Sequence, residues 1–306
     1  MTRTHAMRGA RIVFVLLTVA LAWWGFRGRW DEIGGVVADT GPARLVVAMG
    51  CAVGGLVLTG VVWRMLLTAL GPRVEPREAA AVFFVGQLGK YVPGSVWSFA
   101  AQAQLGRRCG VPPRSSVAAS ALFLVIHAVS GLVLGGVLVA AGAIRTDPGV
   151  AWWLLLSAAG AIALSPPLLR AVGDRVAAAG VRTRFDGTDL VRSLALMTGV
   201  WACYGTCLWV LIPSARTDPQ DLVAAVAAFA LAHTAGVLMV LAPAGVGARE
   251  AVLIVLLAPA VGVPAAAAAA LLARLTHSVA DFVLAAGAAV LVRGSRSPEV
   301  VGVHDQ

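Results

Sequence analysis

Long apolar stretches that contain no charged residue are the strongest constraint on this sequence. Residues 115–144 hold no Asp, Glu, Lys or Arg, and similar stretches recur along the 306-residue chain. Only 13% of the residues are charged and 59% are hydrophobic, which is too little charge to cover the surface of a soluble domain. The pattern predicts a chain that uses lipid as its solvent and crosses a membrane several times.

The lengths of these stretches predict an all-α, polytopic protein with about six spanning helices, because about 20 apolar residues are needed to cross ~30 Å of hydrocarbon. The predicted spans are 11–27, 44–70, 116–144, 150–170, 192–212 and 264–292. Within them, Gly50 with Gly54 and Gly131 with Gly135 are spaced for close helix packing. We predict one transmembrane domain over residues 1–298 and a disordered tail over 299–306.

Two further apolar segments, 79–106 and 222–258, are interrupted by proline and glycine. Proline removes a backbone donor and glycine permits a sharp turn, so each segment is predicted to be a broken helical hairpin that re-enters the membrane. The residues at the two breaks are Pro93, Gly94, Pro243, Gly245 and Gly247. Residues 222–242 are also long enough to span alone, and that alternative stays open at this point.

The distribution of arginine predicts the orientation of the chain. The termini and the segments 71–78, 107–115 and 170–192 together hold 15 Arg, whereas the loops on the other side hold 5. Because cytoplasmic loops carry the excess of basic residues, both termini are predicted to be cytoplasmic. The two halves then have opposite orientations, which predicts an inverted repeat with interrupted helices at corresponding positions, as in many transporters.

The first break supplies Lys90, which is the only lysine of the chain. A helix that begins after Gly94 would direct free N–H groups towards a cavity, and such helix ends attract anions. We therefore predict that Lys90 binds a phosphate there, since charges at membrane depth usually have a role. The alternative is that Lys90 only extends to the membrane interface.

The second break and the last span supply a second group of candidates. Arg249 and Glu250 open the helix after the second break, although Glu250 alone also has a simpler explanation as an acid in a first helical turn. Arg274, His277 and Asp281 lie on one helical face, with Arg274 near the midplane of the membrane. The alternative is that Arg274 and Asp281 neutralise each other. The lone histidines His127 and His233 are expected to pack more often than to function.

Other function classes find little support in the sequence. The net charge of +9 suggests nucleic acid, but the basic residues form no stripe with interleaved aromatic residues, so no nucleic-acid partner is predicted. We find no catalytic triad, metalloprotease motif or nucleotide-binding loop. Accordingly we predict neither an enzyme activity nor a cofactor or metal.

At these motifs the chain resembles the lysylphosphatidylglycerol synthase transmembrane family, also called flippase-like domain proteins. The motifs are Gly86-x-x-Gly89-Lys90-Tyr91-Val92-Pro93-Gly94-x-x-Trp97, Leu105-Gly106-x-x-x-Gly110 and Pro243-x-Gly245-x-Gly247-x-x-Glu250. The resemblance covers about residues 10–292 and adds Tyr91 and Trp97 to the candidate site. Family members often carry Arg in place of Lys90, and they often have Gly where this chain has Ala244.

The resemblance implies a bacterial plasma-membrane protein. In members fused to a cytosolic aminoacyltransferase domain, this region is thought to flip the aminoacylated lipid, and stand-alone members are suspected of handling phospholipids or polyprenyl-linked sugars. The sequence carries no such domain, so synthase activity is not expected. We expect translocation of a lipid with an anionic headgroup. The alternatives are an accessory subunit that partners envelope-biosynthesis enzymes, or an intramembrane enzyme acting on a lipid-linked substrate.

Overall fold

A computed structural model describes residues 30–92, 96–147, 149–177, 183–212, 218–239 and 245–294, and within these ranges every regular element is helical. The α-helices are α1 Trp30–Ala38, α2 Pro42–Ala69, α3 Pro76–Gln87, α4 Trp97–Arg107, α5 Pro113–Ala140, α6 Val150–Ala163, α7 Pro166–Val176, α8 Gly187–Val210, α9 Pro219–Leu238, α10 Ala248–Val261 and α11 Val263–Gly294, and a 3-10 turn covers Leu88–Tyr91. The predicted span 11–27, the tail 299–306 and the break residues Pro93, Gly94 and Pro243 lie outside the described residues.

Five of the described helices are long and apolar enough to cross a membrane, namely α2, α5, α8, α9 and α11. Four of them confirm the predicted spans 44–70, 116–144, 192–212 and 264–292. The all-helical, polytopic architecture is therefore confirmed. The segment 222–242, for which both a span and a re-entrant arm were considered, lies mainly in α9, whose 20 residues suffice to span.

The predicted continuous span 150–170 is instead a pair of helices, α6 and α7, that are bent by 55° between Ala163 and Pro166. Pro166 and Pro167 occupy the first turn of α7, where their missing N–H groups cost nothing. In a continuous helix the same prolines would remove hydrogen bonds and clash with the preceding turn. The chain therefore bends here, and the pair counts at most as one broken span.

The first predicted break lies where the sequence placed it. The α3 helix has 12 residues, too few to span, and passes through the 3-10 turn before α4 returns along it. In the second hairpin, α9 ends at Leu238 and α10 begins at Ala248, and these two helices also pack against each other. Each segment thus consists of two helices that pack against each other on either side of an interruption, and these two pairs are called the first and the second hairpin below.

Small residues bring the long helices together. A Cβ atom on Gly131 would lie 2.8 Å from Cζ2 of Trp201, and one on Gly135 would lie 2.9 Å from Cδ2 of Leu231, so both glycines are closely packed as predicted. At Gly50 no atom of the described residues lies within 4 Å of a Cβ built there, so the close packing predicted for this glycine is not seen among them.

Glycine is also required at each break. A Cβ atom on Gly89 would lie 2.6 Å from the backbone nitrogen of Ser98, so only glycine lets the 3-10 turn touch the start of α4. Gly245 has a φ of 68° and lies against Gly236 of α9, where an added Cβ would be 2.8 Å from the Gly236 Cα. These contacts hold the two arms of each hairpin together at the point where the helix is interrupted.

We predict that Gly89→Ala lowers the free energy of unfolding by about 2 kcal/mol, because the added methyl group meets backbone that cannot move aside easily. The matched control is Gly50→Ala, which adds the same methyl group to an open helical site and should leave stability unchanged or slightly raised. Melting temperatures of the two purified variants in detergent test this. Equal melting temperatures would contradict the tight packing at Gly89.

Candidate functional site

A cavity of about 240 Å³ lies where the two broken hairpins meet α2, α5, α8 and α11. Seven of the predicted site residues line it: Lys90, Tyr91, Gly245, Arg249, Arg274, His277 and Asp281. Glu250 is not part of the lining but contacts Arg274, which is, and Gly247 in turn donates a hydrogen bond to Glu250. Trp97 is about half exposed and is not part of the lining. Both breaks and the last span therefore converge on one cavity.

At one wall of the cavity, Lys90 and Tyr91 of the 3-10 turn both contact Asp281 of α11. The Lys90 Nζ lies 2.6 Å from Oδ2 of Asp281, and the Tyr91 hydroxyl donates to the same oxygen at 2.7 Å. The Tyr91 ring stacks on Phe282 with ring centroids 5.4 Å apart. Asp281 is 5% exposed, so its charge needs these two partners. The first hairpin is therefore bound to α11 through Asp281.

The second hairpin is bound to the same helix through Glu250. One carboxylate oxygen, Oε1, lies 2.6 Å from Nη1 of Arg274, and the other accepts the backbone N–H of Gly247 at 2.7 Å. Glu250 therefore satisfies a free N–H group at the start of α10 and at the same time fixes that helix end to α11.

Arg274 and Asp281 were considered as a mutually neutralising pair, and the structure shows a different arrangement. Arg274 pairs with Glu250 from the second hairpin, whereas Asp281 pairs with Lys90 from the first. Lys90 was predicted to bind a phosphate, and in the structure its ammonium group is paired with the carboxylate of Asp281. The charges of α11 thus connect hairpins and do not cancel along the helix.

Arg249 differs from the other cations of the site. Its side chain is buried, with 9% of the residue exposed, and its guanidinium carbon lies 4.3 Å from the centroid of the Phe229 ring. The Nη2 atom has no hydrogen-bond partner among the described residues. Three histidines, His127, His233 and His277, line the same cavity. The first two, expected mainly to pack, therefore belong to the site.

Sequence reasoning missed the polar residues that fix the first hairpin to the long helices. The Trp63 Nε1–H donates to the Ser120 hydroxyl at 3.0 Å, and Ser120 in turn donates to Gln102 of α4. All three residues are buried, and Gln102 and Ser120 line the cavity. The available signal was the presence of Gln102 and Ser120 within apolar segments, because a polar side chain is costly to bury without a partner.

The sequence matches the family described as "Lysylphosphatidylglycerol synthase TM region" over residues 11–286. This chain belongs to that family. The match covers nearly the whole chain and confirms the resemblance that the break motifs suggested. Together with the long apolar helices, it makes this a multi-pass integral membrane protein. A comparison with curated proteins found no match.

We predict that Glu250 and Arg274 are strongly coupled in a double-mutant cycle. Either Glu250→Gln or Arg274→Met alone leaves a buried charge without its partner and should cost about 3 kcal/mol, whereas the double variant should cost less than the sum. The control is the pair Arg274→Met and Asp281→Asn, whose effects should add because the two residues have different partners. Unfolding in detergent, monitored for all variants, supplies the energies, and additive effects for Glu250 and Arg274 would contradict the pairing.

Proposed function

We propose that this protein binds the headgroup of an anionic lipid in the cavity between its two hairpins and translocates that lipid across the bacterial plasma membrane, without chemical change. The observation that carries the proposal is a cavity formed by two interrupted helices and lined by Lys90, Arg249 and Arg274. Cations at membrane depth are costly and mark substrate paths. Interrupted helices that converge on one cavity are the arrangement used by transporters.

The packing partners of the hairpins support an inverted repeat. The first arm of the first hairpin, α3, packs against α11, and the first arm of the second hairpin, α9, packs against α5. Each hairpin thus contacts the last long helix of the other half, and α2 packs along α8. Contacts in which each hairpin packs against the other half are expected when two halves are related by a pseudo-two-fold axis. We propose on this basis that the hairpins re-enter from opposite sides.

One backbone contact supports the proposed orientation. The N–H of Arg184, which precedes α8, donates to the carbonyl of Ala69 at the end of α2 at 2.8 Å. The start of the arginine-rich segment 71–78 and Arg184 of the segment 170–192 therefore lie on the same side of the helix bundle. This is the arrangement expected if both segments, and with them both termini, are cytoplasmic.

The proposed mechanism is an exchange of partners at the ion pairs. A phosphate that reaches Lys90, whose side chain is one-third exposed, competes with Asp281 for the ammonium group. The exchange keeps the lysine paired, and Asp281, which loses the ammonium group, keeps the hydrogen bond from the Tyr91 hydroxyl. The contact between the first hairpin and α11 is thereby loosened when the headgroup is bound. At the second hairpin, the phosphate competes in the same way with Glu250 for the guanidinium of Arg274.

We predict that Lys90→Ala abolishes lipid movement, because the alanine cannot attract the phosphate away from the bulk leaflet. Lys90→Arg should retain partial activity, since it keeps the charge but changes its geometry. The measurement is the accessibility of a labelled anionic lipid in proteoliposomes, and the control is Arg192→Gln, an exposed arginine of α8 outside the cavity.

Several results of this experiment would contradict the proposal. Transport by Lys90→Ala equal to that of the parent would make Lys90 an interface anchor. If the parent protein moves no lipid, while Lys90→Ala disrupts a complex with an envelope-biosynthesis enzyme, the accessory-subunit alternative is favoured. A chemically altered lipid in the vesicles would favour the enzyme alternative.

The orientation has its own test at Cys109, in the turn after α4. A membrane-impermeant thiol reagent should fail to label Cys109 in whole cells and should label it in inverted vesicles, because the segment 107–115 is proposed to be cytoplasmic. Cys109→Ser provides the background from Cys51, Cys203 and Cys207. Strong labelling of Cys109 in whole cells would contradict the orientation and the inverted repeat.

A further inference from the structure

The charges around the cavity are not evenly matched. Asp281 faces Lys90 and Glu250 faces Arg274, and no carboxylate of the described residues forms an ion pair with Arg249. The two carboxylate oxygens of Glu250, the nearest acid along the chain, are engaged by Arg274 and by the Gly247 N–H. Among the described residues the site therefore has three cations and two carboxylates, an excess of one positive charge.

This cation is also deeply buried. Arg249 is 9% exposed, it faces the cavity, and its Nη2 is enclosed without a hydrogen-bond partner in the described part of the chain. Buried donors without partners are uncommon in native proteins, and each one calls for an explanation such as a bound ligand or water. An isolated buried guanidinium is the extreme case, because burial of a charge without a counter-charge is strongly unfavourable.

His277 presents a second open group to the same cavity. Its Nδ1 lies 2.7 Å from the carbonyl oxygen of Ala273, and since a carbonyl can only accept, Nδ1 carries the hydrogen. In the neutral ring the other nitrogen, Nε2, is then an acceptor, and it is buried without a hydrogen-bond partner among the described residues. The His277 ring stacks on Phe229 at 5.1 Å, and the Arg249 guanidinium lies over the same ring.

Both groups line the cavity and contact the Phe229 ring, so they offer a subsite with one positive charge and one acceptor. We propose that Arg249 binds a single phosphodiester group, and that Nε2 of His277 accepts a hydrogen bond from a hydroxyl group of the same headgroup. The inference rests on the proposed function and narrows its substrate to lipids whose phosphodiester-linked headgroup carries hydroxyl groups. Lys90, by contrast, lies in an exchangeable pair at the more exposed wall of the cavity.

The charge balance favours a phosphodiester over a phosphomonoester or a diphosphate. A phosphodiester carries one negative charge, which one unbalanced guanidinium neutralises through paired N–H groups. A second negative charge bound at the same time would have to draw Lys90 away from Asp281 or Arg274 away from Glu250, a cost that a single charge held by Arg249 avoids.

Binding of soluble short-chain lipids to the purified full chain in detergent tests the inference by calorimetry. The probes are dihexanoyl-phosphatidylglycerol, its phosphatidylpropanol analogue of equal charge without hydroxyl groups, dihexanoyl-phosphatidic acid, and glycerophosphoglycerol, which has no acyl chains. We expect phosphatidylglycerol to bind most tightly and each of the others to bind about tenfold more weakly or worse. Tighter binding of phosphatidic acid would overturn the phosphodiester assignment, and tighter binding of glycerophosphoglycerol would overturn the lipid as its source.

Arg249→Gln should weaken phosphatidylglycerol binding at least about tenfold and should raise the melting temperature of the ligand-free protein, because it removes an unbalanced buried charge. A purely structural arginine would produce the opposite change in melting temperature. His277→Phe should bring the affinities for phosphatidylglycerol and phosphatidylpropanol close together, and Arg192→Gln is the control that should bind like the parent.

Two results would overturn the inference: Arg249→Gln that binds like the parent, or Arg249→Gln that melts at a lower temperature without ligand. If His277→Phe retains the full preference for hydroxyl groups, the role of His277 is wrong. If the binding pattern is as expected but the parent moves no lipid in proteoliposomes, the subsite is supported and the proposed translocation is contradicted.

Discussion

The two helix breaks are the constraint on which the rest of this structure depends. Hydrocarbon offers no hydrogen-bond partners, so interrupted backbone is tolerated in a membrane only where protein or a wet cavity covers it. Here α11 is the protein that covers both breaks, because Asp281 binds the first hairpin and Arg274 binds the second. The two residues are seven positions apart, about two turns on one face of the helix. One helix thus secures both hairpins to the cavity that lies between them.

The same arrangement explains why so many charges are tolerated in so apolar a chain. Each ion pair joins a hairpin to α11, so removal of either cation leaves a carboxylate that is largely enclosed without its charged partner. The pairing uses both carboxylates, and within the described part of the chain the guanidinium of the third cation, Arg249, lies against the face of the Phe229 ring. A ring face is a weak substitute for a carboxylate. The attraction of the site for anions is therefore concentrated at Arg249.

Much of this architecture could be predicted from the sequence, because spans and breaks are local signals. The four confirmed spans follow from length and hydropathy, and the first break follows from glycine and proline between two short apolar pieces. The bend between α6 and α7 also had a local signal in Pro166 and Pro167, which the apolar run concealed. The length of 222–242 could not decide between a span and a re-entrant arm, since both need a helix of this size.

The pairing within the site could not be predicted in this way. Lys90 and Asp281 are 191 positions apart in the chain, and a helical wheel relates Asp281 only to Arg274 and His277. The wheel correctly placed the three residues on one face, but it could not show that each would meet a partner from a different hairpin. Identification of charged residues at membrane depth was sufficient to name residues that the structure brings to one cavity. The sequence alone could not show which cation lacks an acidic partner. The contacts show that Lys90 faces Asp281 and Arg274 faces Glu250, so Arg249 is the cation left for an anionic ligand.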